Sequence, residues 1–186
     1  MPINNKKYQE NLIEAMDMLA LDIKTIFLGQ TIKYGGSPMY NSLKHISDEN
    51  KIELPVFEDT QMGLSIGLAL EGFIPISIFP RIDFLICATN QLVNHLDKIE
   101  EMSHGEFRPG VIIRTQIGNK YPLYPGAQHC QDYTKGLKAM CKHIEVIKIK
   151  DENEVLPSYK LALKRAKQGQ STLLIEVPTG AFGGKK

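Results

Sequence analysis

The sequence lacks the features that mark membrane, secreted and metal-stabilised proteins. None of its apolar runs reaches the roughly 18 to 20 residues that a membrane-spanning helix needs. The first twelve residues, MPINNKKYQENL, carry charges with no apolar block after them, unlike a secretory signal. The three cysteines are odd in number, far apart and never form a CxxC pair, which argues against a disulfide framework or a structural zinc site. We therefore expect a cytoplasmic protein with no membrane partner.

The chain also lacks a strong charge of either sign. It has 22 lysines and arginines against 21 acidic residues, a net charge of +1. Proteins that neutralise many phosphates normally carry a basic excess or a basic stripe, so a nucleic-acid partner is not expected. With 42% hydrophobic residues over 186 positions, the composition predicts a single folded domain spanning residues 1–186.

Helix and strand patterns alternate six times along the chain. The strands are continuous apolar runs, which is typical of a parallel sheet covered on both faces. We therefore predict a three-layer α/β/α fold with a mainly parallel six-stranded sheet. The predicted strands are 25–29, 52–56, 74–79, 110–115, 144–149 and 172–177. The predicted helices include 59–70, one long helix over 84–102, 133–140 and 152–167.

Ligands of such folds bind outside the carboxyl ends of the strands. Glu58 follows the second predicted strand, Phe84 follows the third, and a long loop with His129 follows the fourth. Each residue also has a plainer interpretation. Glu58 suits the start of a helix, Phe84 suits the core, and His129 suits a loop-stabilising contact.

Glycines and phosphate motifs point less clearly to a ligand. Gly63 and Gly67 lie four residues apart in a predicted helix, a spacing that permits either close helix packing or approach to a phosphate. Neither a Walker sequence nor a GxGxxG string is present.

Three separated strings carry a family resemblance. They are LPVFEDTQMGLSIGLALEGFIPI, RIDFLICATNQLVNHLDKIEEMSHG and PGAQHCQ. In this order they resemble the thiamine-diphosphate enzymes. The match is best to the pyrimidine-binding domain of the β subunit of pyruvate and branched-chain 2-oxo acid dehydrogenases, and more distant to transketolase. It runs from about residue 12 to about residue 178 and implies the thiamine-diphosphate-binding fold.

The resemblance assigns roles to four residues. Glu58 matches the glutamate of the family pattern P-I-S-E-x-G-F-x-G, which implies that it hydrogen-bonds a ring nitrogen of the cofactor's aminopyrimidine. Gly63 closes that pattern and is placed with Phe84 among the cofactor-binding residues, Phe84 packing on the aminopyrimidine ring. His129 matches the histidine of the A-Q-H-S-Q loop, which implies contact with the substrate.

Several departures accompany these matches. Thr60 and Gln61 replace the family's Gly-Phe, which implies a more polar pocket wall, and Cys130 replaces a serine. Two extra residues lie between Arg114 and Gln128. We expect no counterpart of the family's C-terminal domain, and the sequence contains no G-D-G…N motif of the kind that holds Mg²⁺ and the diphosphate.

The resemblance therefore implies one subunit of a split enzyme. A separate α-type subunit would bind the diphosphate and supply the Mg²⁺ ligands, in an α2β2 heterotetramer, or this chain would form a homodimer. The expected reaction on a small-molecule substrate is decarboxylation of a 2-oxo acid or ketol transfer between sugars. Two alternatives stay open: a non-catalytic scaffold or regulatory domain that keeps the fold, and an unrelated flavodoxin-like binder of small ligands.

Overall fold

The strands of the protein form one parallel sheet. A computed structural model describes residues 5–35, 38–120 and 124–177. Its strands are β1 (Thr25–Gly29), β2 (Lys51–Glu53), β3 (Ile74–Ile78), β4 (Ile112–Gln116), β5 (Glu145–Ile149) and β6 (Thr172–Glu176). They pair in the order β2-β1-β3-β4-β6-β5, and every pair is parallel. The predicted six-stranded parallel sheet is confirmed.

Helices cover both faces of this sheet. They are α1 (Asn5–Ala20), α2 (Pro38–Ser42), α3 (Glu58–Leu70), α4 (Ile82–Leu85), α5 (Ile99–Met102), α6 (Thr134–Met140) and α7 (Glu152–Ala166). One buried cluster joins α1, α2 and α7 to the sheet, and a second joins α3, α6 and the segment between α4 and α5 to the opposite face. Neighbouring strand residues such as Ile112 and Ile113 belong to different clusters, because side chains alternate along a strand. The three-layer architecture is confirmed, and no helix of the described residues is both long and apolar enough to cross a membrane.

The prediction of one regular helix over 84–102 is wrong. After α4 the chain winds through a 3₁₀ turn, Ile86–Ala88, and then a π-helix, Asn90–Leu96, before α5. The buried positions Ile82, Leu85 and Ala88 recur every three residues. The chain tightens to about three residues per turn at the 3₁₀ turn, and all three side chains lie in the core.

The second predicted strand, 52–56, also differs from the structure. Pairing with β1 ends early: the amide of Leu54 still donates to the carbonyl of Gly29 at 2.8 Å, but Pro55 has no N–H to donate. The next residues, Val56 and Phe57, are 74% and 64% exposed. The predicted strand therefore included residues that are not part of the sheet. Val56, the last of them, and Phe57 after it present exposed apolar side chains at the carboxyl edge of the sheet.

A buried carboxylate ties the irregular helical segment to β5. Asp97 accepts hydrogen bonds from the backbone amides of Lys142, His143 and Ile144 at 2.7 to 3.0 Å, and from the Lys98 ammonium at 2.6 Å. Burial alone would raise the pKa of Asp97. These hydrogen bonds outweigh burial and lower the pKa to about 2.

We predict that Asp97→Asn destabilises the protein by about 1 to 3 kcal/mol at neutral pH, because a charged acceptor of several amides is lost. The folded pKa lies below the ordinary value of 3.8, so the contribution is complete above about pH 5 and is lost as the pH falls through about 2. Urea unfolding of wild type and variant between pH 2 and pH 7 measures this. Asp48→Asn is the control, since that carboxylate is 75% exposed in its pair with Lys51. Equal losses in both variants, or a loss independent of pH, would contradict the prediction.

Candidate active site

The topology places a crevice between the carboxyl ends of β1 and β3. These strands are neighbours in the sheet, yet β1 leads into α2 on one face and β3 leads into α4 on the other. Two chain segments that diverge in this way leave an opening in which open α/β sheets bind ligands. The loops at residues 30–35 and 79–81 border this opening.

Glu58 lies beside the crevice, where the sequence predicted it. It is the first residue of α3, which follows β2, the neighbour of β1. Its side chain is half-buried, and the carboxyl group has no hydrogen-bond or ion-pair partner among the described residues. Such a carboxyl is available to a ligand and is not engaged in holding the fold.

Phe84 and His129 meet at the same edge of the sheet. Their ring centroids are 5.5 Å apart and the ring planes are 86° apart, an edge-to-face arrangement. Both side chains are half-buried, so each keeps part of its surface open. The structure therefore brings together two of the residues that the sequence predicted for the site.

Gly63 sits in a helix-packing contact. A Cβ on this residue would lie 3.7 Å from the side-chain amide of Gln91, an ordinary van der Waals distance. Gln91 in turn donates from Nε2 to Oδ2 of Asp59 at 3.4 Å. A methyl group would therefore fit at Gly63, so packing does not require glycine there, and its predicted contact with a cofactor stays a prediction.

The two polar replacements at the start of α3 differ in solvent exposure. Thr60 is exposed, but Gln61 is only 1% exposed and donates to Ser77 Oγ at 3.2 Å and to the carbonyl of Ile78 at 2.9 Å. Only Thr60 therefore adds polarity to the surface of the protein, because Gln61 is used to attach α3 to β3.

A carboxylate that the sequence did not reveal shapes the other wall of the crevice. Glu53, the last residue of β2, accepts hydrogen bonds from the consecutive amides of Thr31, Ile32 and Lys33 at 2.6, 2.8 and 2.9 Å. Thr31 has a φ of 56°, a left-handed conformation that such bonds hold in place. An acid at a strand end gives no sign, in sequence, of which loop it will bind.

Known proteins of similar sequence and structure support the family resemblance predicted from the sequence. No family model matches the chain. The pyruvate dehydrogenase E1 component subunit beta of Rickettsia bellii is 27% identical over 165 residues, which cover 80% of this chain and 50% of the relative. The chloroplastic subunit beta-3 of Arabidopsis thaliana is 32% identical over 128 residues, 66% of this chain and 30% of the relative. The chain is related in sequence to the pyruvate dehydrogenase E1 β subunit.

Solved structures agree on the fold. A split-gene transketolase, in an inactive beta4 tetramer, matches 94% of this chain and 51% of its own, with a TM-score of 0.66 and 16% identity. The transketolase from Leishmania mexicana matches 90% of this chain and 24% of its own, with a TM-score of 0.69 and 16% identity. At this identity the likeness shows the fold alone. The predicted resemblance to the pyrimidine-binding domain is confirmed.

The relatives are longer than the matched region. The chain spans about a third to a half of the length of the curated relatives it matches. Among the described residues, no group of three or more histidine, cysteine, aspartate or glutamate side chains is arranged to hold a metal ion.

Proposed function

We propose that this chain supplies the pyrimidine-binding half of a split thiamine-diphosphate-dependent enzyme. The observation that carries the proposal is the half-buried Glu58 carboxyl, which has no partner among the described residues and lies at the carboxyl edge of the sheet. Phe84 and His129 meet at that edge. The relationship to pyruvate dehydrogenase β subunits and the shared fold with a split-gene transketolase support the proposal.

The residues present fit the aminopyrimidine of the cofactor. A carboxyl without an internal partner can exchange a hydrogen bond with a ring nitrogen, and a half-exposed aromatic ring can pack on a flat heterocycle. We assign these tasks to Glu58 and Phe84, with Gly63 on the same helix as Glu58 permitting close approach. When bound, thiamine diphosphate supplies the nucleophilic carbon that attacks a carbonyl and accepts the electrons of bond cleavage.

Glu58 would hold and exchange the proton that it shares with the ring nitrogen. The Glu58 side chain is only half-buried in this chain, and the adjacent Val56 and Phe57 side chains are exposed. A subunit that covers these two apolar side chains would also withdraw water from the carboxyl. Hydrogen bonds strengthen in a drier site, so assembly and activation would be one event.

His129 would act on the substrate side. An imidazole has two ring nitrogens that can donate or accept hydrogen bonds, which suits either a 2-oxo acid or a ketose substrate. The edge-to-face contact with Phe84 limits the orientations open to the imidazole. An acid–base group of fixed orientation is more effective than a mobile one.

The partner is proposed to be an α-type subunit that carries the diphosphate-binding G-D-G…N motif and the Mg²⁺ ligands. Alongside Val56 and Phe57, Tyr124 in the His129 loop is 56% exposed. Exposed apolar and aromatic side chains around a site are typical of a surface that another chain covers. An α2β2 heterotetramer is the assembly we expect.

Calorimetry tests the proposal. Thiamine diphosphate with Mg²⁺ is titrated into this chain, into a candidate α-type subunit that carries the G-D-G…N motif, and into their mixture. Binding that is strong only in the mixture is expected, followed by turnover of 2-oxo acids or ketose phosphates. A stable complex of the two chains that binds no cofactor would overturn the proposal and favour a non-catalytic scaffold.

A further inference from the structure

The segment after β3 reaches across to the His129 loop at three points. Arg81 donates from Nη1 to the backbone carbonyl of His129 at 3.1 Å. Asp83 accepts the backbone N–H of Gln131 through Oδ1 at 3.2 Å. Phe84 contacts the imidazole itself. One short segment therefore binds the loop backbone at His129 and Gln131 and also touches the imidazole ring.

The other side of the loop is held equally closely. A Cβ on Gly118 would lie 1.7 Å from the carbonyl oxygen of His129 and 2.6 Å from Nη1 of Arg81. No side chain fits there, because the loop backbone and the guanidinium already fill the space. The thiol of the buried Cys130 donates to the carbonyl of Asn119 at 3.3 Å, which closes the loop on itself.

The guanidinium of Arg81 is not engaged elsewhere among the described residues. It forms no ion pair with a carboxylate there, and its hydrogen bond to His129 is the polar contact that it makes. Arginine stays charged at all working pH values and presents a rigid planar fork, so its bond to a carbonyl has a defined direction. The contact is therefore specific to His129 and is not the by-product of a salt bridge.

We propose that Arg81 is a positioning residue that sets the place of His129. Through the carbonyl it fixes the backbone of the loop, and through the backbone it holds the imidazole against Phe84. The geometric part of the proposal, that Arg81 positions His129, depends only on contacts within this chain. Its consequence for turnover rests on the function proposed above. The loop from residue 124 to 131 contains only one short 3₁₀ turn, Ala127–His129, so such external contacts decide its conformation.

Nuclear magnetic resonance of the isolated chain tests the geometric part. The imidazole signals of His129, assigned with His129→Gln, are compared in wild type, Phe84→Leu and Arg81→Met. Phe84→Leu removes the aromatic ring and should move the signals. Arg81→Met should move them in the same direction by at least half as much, because the imidazole leaves the ring. Arg81→Lys, which keeps a charge and a donor, should restore part of the wild-type position.

Arg108→Met is the matched control. Arg108 is an exposed arginine paired with Glu100, before β4 and therefore at the opposite end of the sheet. It should leave the His129 signals unchanged. Unmoved signals in Arg81→Met, or in Phe84→Leu, would overturn the proposal. If Arg81→Met does not fold, Arg81→Gln gives the second test, because its shorter polar side chain cannot reach the same carbonyl, and it should also move the signals.

The assembled enzyme tests the consequence. Arg81→Met should lower kcat by up to about 100-fold, the effect of a small misplacement of an acid–base group, while cofactor binding is kept. Unchanged kcat alongside displaced His129 signals would overturn the catalytic consequence. Displaced signals with no turnover in any assembly of wild type would instead show that the proposed function fails and the positioning holds.

Discussion

Glu58→Gln is expected to lower turnover of the assembled enzyme by at least about 100-fold, the effect of losing a group that transfers a proton. Glutamine keeps the size and one acceptor oxygen, but it cannot exchange a proton with a ring nitrogen. The fold should be nearly unaffected, because the carboxyl has no partner among the described residues. Its favourable position at the start of α3 is worth about 0.3 to 1 kcal/mol, so thermal unfolding should shift only slightly.

Asp59→Asn provides the control for this variant. It removes the same charge from the same helix turn, but Asp59 accepts a hydrogen bond from Gln91, so its carboxyl is already occupied within the chain. We expect most of the turnover to remain. Steady-state kinetics and calorimetry of the three proteins, each mixed with the partner, give the comparison. Full turnover in Glu58→Gln would refute the assignment of the activating carboxyl.

Arg114→Met is expected to cost about 3 to 5 kcal/mol of unfolding free energy, the penalty for breaking a buried ion pair. Arg114 on β4 faces Glu176 on the neighbouring β6, with Nε to Oε1 at 2.7 Å and Nη2 to Oε2 at 3.2 Å. Ser42 accepts from Nη1 at 2.7 Å, and the Tyr159 hydroxyl donates to Glu176 at 2.5 Å. All four side chains are at most 2% exposed.

The physical reason is the uncompensated carboxylate that this variant would leave behind. Burial disfavours the charged guanidinium, but its attraction and hydrogen bonds to Glu176, together with the nearby Tyr159 and Tyr8, outweigh burial and raise the pKa of Arg114 above its ordinary value. Removing both charges should therefore be less harmful than removing one. We expect Arg114→Met/Glu176→Leu to be more stable than the sum of the two single variants predicts.

Urea unfolding at neutral pH measures these differences. Arg108→Met is again the control, since its pair with Glu100 is solvent-exposed and should be worth less than about 1 kcal/mol. Equal losses for the buried and the exposed arginine would contradict the prediction. So would a double variant that loses the full sum of the single effects.

Local patterns were sufficient to predict a six-stranded parallel sheet. An apolar run such as Thr25–Gly29 needs only its own residues to indicate a buried strand, and β1 has those bounds. Local patterns were insufficient where contacts with neighbouring elements decide how far a strand or helix extends. The strand predicted over 52–56 stops at Glu53 because Pro55 and the end of β1 leave no further pairing. The helix predicted over 84–102 is interrupted by a 3₁₀ turn and a π-helix, which the apolar spacing did not indicate.

Short contiguous motifs made Glu58, Phe84 and His129 candidates for the site. The contact between Phe84 and His129 depends instead on the strand order, which makes β3 and β4 neighbours and so brings the segments after them together. The same order sets β4 beside β6 and pairs Arg114 with Glu176. Side chains far apart in the chain meet only through the packing of whole elements, and that adjacency is not written in any local stretch of sequence.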